Sequence, residues 1–129
     1  MKYYLSKKLK GKNFDTTVEA VTAELKKEGF GVLTEIDVQK TLKEKIDVNF
    51  RKYKILGACN PHFAYQALQN ENKIGVFLPC NVVVEESDKG DIEVSIIDPG
   101  ILMSAIENKL LDGFDVEVQQ RFNRVLENL

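Results

Sequence analysis

Val82-Val83-Val84-Glu85-Glu86, Ser87-Asp88-Lys89-Gly90 and Asp91-Ile92-Glu93-Val94-Ser95-Ile96-Ile97 follow one another without a break. Two runs rich in β-branched residues, the second alternating apolar with polar, flank four turn-forming residues, which is the pattern of a β-hairpin. Asp98-Pro99 then closes the second run: an aspartate that can cap a helix, followed by a proline suited to its first turn. A hairpin leading into helices places antiparallel strands late in the chain.

Upstream, strands and helices alternate. Lys2 to Leu9 reads as a first strand whose polar half suits a sheet edge. Phe14, Val18, Val21 and Leu25 recur at helical spacing, with Asn13 or Thr16 as N-cap and Gly29 as the residue that ends the helix. Phe30 to Ile36 reads as a strand, and Asp37 can cap a helix carrying Val38, Leu42 and Ile46. Phe50 to Ala58 returns as a strand, on which the period of two groups Tyr53, Ile55, Gly57 and Cys59 on the apolar face. Asn60-Pro61 opens a third helix to about Gln69, and Ile74 to Leu78 reads as a further apolar strand before Pro79.

After Asp98-Pro99 comes a helical region broken at Asp112-Gly113, and Phe114, Val118, Phe122, Val125 and Leu129 form the stripe of a last helix docked on the sheet. Alternation followed by a hairpin implies an α+β two-layer domain, one mixed β-sheet covered by helices. With no repeat, linker or low-complexity tract, residues 1–129 read as a single domain.

At 129 residues the chain can bury roughly two-thirds of the surface its unfolded form exposes, so neither a metal nor a disulfide is needed to hold a core. A net charge of −2 with the signs interspersed gives no footprint for nucleic acid. No apolar stretch approaches the ~20 residues of a membrane span, and Met1-Lys2-Tyr3-Tyr4 does not open a secretory signal, so the expected location is the cytoplasm, with no membrane partner.

Reactive side chains gather at two junctions inside apolar surroundings, Cys59-Asn60-Pro61-His62 and Pro79-Cys80-Asn81. Cys59 stands just before a helix N-terminus, whose unpaired N–H groups favour a thiolate, whereas a free cysteine more commonly packs as a small hydrophobe. His62 is the one histidine and the one available acid–base partner for a thiol, although no carboxylate lies near it in sequence to orient it. Asn60, Asn81 and Asp98 are each explained by capping or turn formation when taken singly. Together, these residues converging at one end of a sheet would form a ligand site, in the position where α/β domains bind ligands. Cys59, His62 and Cys80 at non-standard spacing fall short of a closed zinc site, so no metal is expected. No phosphate loop, nucleophile elbow or dinucleotide fingerprint occurs, and the sequence names no cofactor.

The runs Glu28 to Asp37, Ile55 to Pro61 and Ile74 to Val84, with Asp98-Pro99 closing the last strand, resemble the bacterial and archaeal domain-of-unknown-function family 302. The resemblance spans essentially the whole chain. Gly57-Ala58-Cys59-Asn60-Pro61 and Leu78-Pro79-Cys80-Asn81-Val82 match its patterns without departure, while His62 stands where many members carry a small or acidic residue. It implies a small α+β domain and a homodimer, with no established activity.

Three functions compete on this reading. The first is a small-molecule or thiol-responsive, redox-responsive binding domain at a site formed by Cys59, Asn60, His62, Cys80, Asn81 and Asp98. The second is a structural or interaction module forming a homodimer with buried cysteines. The third is a thiol enzyme, for which only His62 offers a partner.

Overall fold

The computed structural model describes residues 2–129. Its strands are β1 (Tyr4–Leu9), β2 (Gly31–Asp37), β3 (Tyr53–Cys59), β4 (Cys80–Glu86) and β5 (Ile92–Ile97), and its helices are α1 (Phe14–Lys27), α2 (Val38–Ile46), α3 (Pro61–Asn70), α4 (Pro99–Ala105) and α5 (Phe114–Glu127). Short 3₁₀ turns occupy Asn72–Phe77 and Lys109–Leu111.

The local chemistry of the chain sets most of these boundaries. Asn13 caps α1 by accepting from Thr16 N at 3.1 Å, which settles the choice between Asn13 and Thr16. Asp37 caps α2 through Lys40 N. Gly29, at φ +85°, lets Phe30 N reach back to Leu25 O and ends α1 in the left-handed turn that glycine adopts without steric cost.

The strands run in the order β1-β5-β4-β3-β2. The α+β reading holds, but the sheet is not mixed, because all four pairings are antiparallel. Of the three helical connections, α1 carries the chain from one edge of the sheet to the other, while α2 and α3 join antiparallel neighbours, so helix-linked strands here do not form parallel βαβ units. β1 is an edge, as its polar half implies. Val82-Val83-Val84 lies in the central strand, paired on both sides.

α1 and α5 cover one face. Val21 and Leu25 from α1 and Phe122 and Val125 from α5 meet Leu56, Val82, Val84, Val94 and Ile96 of the sheet, all within 1% of complete burial. Lys7 reaches under α5 and donates to Leu126 O at 3.0 Å, satisfying a carbonyl in the last helical turn. This packing corrects the facing of β3: Leu56 and Ala58 enter the core, whereas Tyr53 and Ile55 belong to the opposite face. Both faces of β3 carry apolar side chains, so alternation alone chose the larger pair and missed the inner one.

Ile74 to Leu78 is a 3₁₀ turn and not a strand. Ile74 turns inward and Leu78 is half-buried, Val76 is 82% exposed, and the strands that flank the run in sequence, β3 and β4, already have both edges paired. The run helps build a small satellite core of Ala67, Ile74 and Leu111 beside the main one.

Candidate functional site

The register brings the two cysteine junctions together. Ala58 pairs with Cys80 and Gly57 with Asn81, so Cys59-Asn60 at the end of β3 lies beside Pro79-Cys80 at the start of β4. Asn60 caps α3, its Oδ1 accepting from His62 N at 3.0 Å and Phe63 N at 3.2 Å, with Pro61 in the first turn. Asp98 does the same for α4, accepting from Gly100 N at 3.0 Å and, at the same distance, from Gln119 Nε2 of α5.

Between these strand ends and α3, α4 and α5 lies a cleft enclosing about 50 Å³. Cys59 and Cys80 border it from the sheet, Phe63 and Ala67 from α3, Leu102 and Met103 from α4, and Phe114 from α5. The Phe63 and Phe114 rings meet edge to face with centroids 5.2 Å apart, and Phe30 stands 6.3 Å from Phe63 on the other side. Asn60 and Asp115 bring the polar groups to a lining otherwise made of carbon and sulfur.

Both cysteines are free thiols. Cys80 is buried, and burial, with a smaller contribution from Cys59, pushes its pKa up to about 11. Cys59 is half-buried at the strand end. Adjacent residues along a strand point to opposite faces; Cys80 shares Ala58's face, so the register sets the Cys59 side chain on the other side, although both border the cleft.

Of the six residues expected to form a site, Cys59, Asn60 and Cys80 line the cleft. Asp98 stands next to it, one residue before the lining Pro99, and is occupied in holding α4 to α5. His62 lies outside, on the exposed side of α3 with Pro61, Tyr65 and Gln66, and Asn81 is exposed on the far face of the sheet. Phe63, Leu102, Met103, Phe114 and Asp115 also line it; four of them look like ordinary core positions in the sequence, and Asp115 like a helix-start carboxylate.

A family model described as "Domain of unknown function DUF302" matches residues 5–129. No curated protein matches the chain. Among solved structures, the crystal structure of an uncharacterized conserved protein DUF302 from Bacillus stearothermophilus superposes with a TM-score of 0.90 at 26% identity, over 99% of this chain and 98% of that one.

Proposed function

The chain belongs to the DUF302 family, whose description carries no activity, and from that premise we propose that it is a small-molecule-binding domain whose site is the apolar cleft at the Cys59 and Cys80 junctions. One observation carries the reading: an almost wholly carbon-and-sulfur cleft, bordered by two free thiols, opens where two strand ends meet three helices. Its volume of about 50 Å³ suits a small apolar group, well below the roughly 300–1,000 Å³ of a drug-sized pocket. One wall belongs to the satellite core, which has only Ala67, Ile74 and Leu111 fully inside, so a larger apolar ligand would find that wall the easier one to part. Two unpaired thiols suit a reducing compartment such as the cytoplasm.

Alkylation with iodoacetamide at pH 8, read by mass spectrometry, tests the reading. With a pKa near 11, only about one Cys80 in a thousand is a thiolate at that pH. Cys59 is therefore expected to react first, with Cys80 at least ten-fold slower, and saturating toluene is expected to slow Cys59 and to shift the amide resonances of Phe63 and Phe114. If both thiols stay unreactive in the folded protein and toluene shifts nothing, the junctions are core packing and the reading fails.

Self-association is a second reading, favoured by the sheet edge. β2 is the last strand, and Leu33 and Ile36 on it are 69% and 48% exposed. A second copy pairing its β2 antiparallel to this one would satisfy both open edges about a two-fold axis. At tens of micromolar, a concentration on the order expected for moderate association, sedimentation should show a dimer that Leu33→Lys with Ile36→Lys dissociates. A monomer in the unsubstituted protein contradicts it.

A further inference from the structure

The face of the sheet turned away from α1 and α5 carries a groove of about 400 Å³. Its walls include the rings of Tyr3, Tyr4 and Tyr53, with Val83 and Ile97 as an apolar floor and Glu85 and Glu93 at one end. The hairpin register makes Glu85 and Glu93 direct cross-strand partners, which sets two carboxylates opposite one another on one face, an unfavourable placement for like charges.

The chain already answers part of this charge with its own cations. Arg51 pairs with Glu85 at 3.0 Å while its guanidinium lies 4.4 Å from the centre of the Phe50 ring and 5.4 Å from that of Tyr53. Lys2 Nζ stands 5.0 Å over the Tyr4 ring. The face thus accepts cations by carboxylate pairing and by ring contact together. Glu93 has no ion pair among the described residues, and its register neighbour Lys8 is exposed and does not bond to it. The Tyr53 phenol is raised above its ordinary range chiefly by burial and then by the Glu85 charge, with Arg51 pulling the other way.

We propose that this groove binds a small organic cation, an alkylammonium or alkylguanidinium, with its head at the Glu85–Glu93 pair beside Tyr53 and its hydrocarbon body along Val83 and Ile97. Glu93, the carboxylate without an ion pair among the described residues, supplies the sign of the charge, the rings add ring–cation attraction, and the aliphatic floor selects a cation with an apolar body over a bare inorganic ion. This site is separate from the cleft at Cys59, and either can fail without the other.

The probe is n-hexylammonium, with n-hexanol as its neutral counterpart, titrated into the full chain at low salt while amide resonances are followed. Hexylammonium is expected to shift Val83, Ser95 and Ile97, whereas hexanol leaves these three in place. Glu93→Gln should weaken binding at least five-fold with a thermal midpoint no lower than that of the unsubstituted protein, since the substitution relieves a like-charge pair. Val83→Lys, which puts a cation on the floor, should abolish binding. Equal shifts from hexanol, undiminished binding by Glu93→Gln, or no shifts at about 10 mM ligand, a concentration on the order of ten times a weak millimolar Kd, would each overturn the proposal. So would a dimer that covers this face and is dissociated by Val83→Lys.

Discussion

Gly57→Val is expected to destabilise the chain by roughly 2–4 kcal/mol, one of the largest losses available from a single substitution outside the main core. Gly57 lies fully inside β3, and a Cβ there would fall on Thr34 Oγ1 and stand 2.7 Å from Pro79 Cγ. Thr34 could turn aside; the proline ring is closed and its backbone leads straight into β4, so it cannot. The conflict therefore passes to the segment that sets Cys80 opposite Ala58. Urea unfolding should give a lower midpoint with an unchanged slope, the mark of altered stability and not altered compactness. Gly57→Ala combined with Thr34→Ala, which removes one of the two obstacles, should recover part of the loss. A Gly57→Val chain as stable as the unsubstituted one would mean that Pro79 does not pack on β3 as described.

The second large effect appears at high pH. Cys80 is neutral in the folded chain because burial lifts its pKa from 9.0 to about 11. For an acid whose folded pKa is raised, the unfolded chain ionises first. The stabilisation is therefore complete below about pH 9 and is lost as pH climbs toward 11. Two pH units correspond to on the order of 2–3 kcal/mol. Cys80→Ala should cost about 1–2 kcal/mol at pH 7.5, where it removes a small buried group. It should also unfold with a flatter alkaline limb, so that the stability difference moves by about 2 kcal/mol in the variant's favour between pH 8 and 11, closing or reversing the gap. Tyrosines and lysines titrate in the same range but are common to both chains, so they cancel in the difference. Parallel curves for the two proteins would show that Cys80 is not the buried thiol described.

Short-range chemistry made much of this molecule legible in the sequence. Asn60-Pro61 and Asp98-Pro99 mark helix starts because cap and proline act within one turn, and both open α3 and α4 as expected. The Ser87-Asp88-Lys89-Gly90 turn closes the β4–β5 hairpin for the same reason. Features that depend on distant partners were not legible. Ile74 to Leu78 has strand composition, and its failure to be a strand goes with β3 and β4, its neighbours along the chain, each having both sides filled by other strands.

The candidate site divides along the same line. Cys59 and Cys80 could be suspected of meeting from their shared setting beside asparagine, yet the cleft also needs Phe63, Leu102 and Phe114, which come from three helices and read locally as core. His62 and Asn81 adjoin the cysteines in sequence only, since α3 turns His62 outward and the strand period sends Asn81 to the other face. The Glu85–Glu93 pair, in contrast, was within reach of the sequence: the hairpin turn itself sets those two residues opposite one another.

The central claim, that the cleft at the two cysteine junctions receives an apolar ligand, is tested most directly by a crystal held under xenon. An apolar cavity too poor in polar partners to hold ordered water takes up xenon readily, and one enclosing about 50 Å³ has room for a single atom. The expected result is one strong anomalous peak between Phe63, Leu102 and Phe114, beside Cys80, with the same peak weakened when Ala64→Phe fills the space. A cleft that stays empty under xenon, or is filled by its own side chains in the crystal, would contradict the claim.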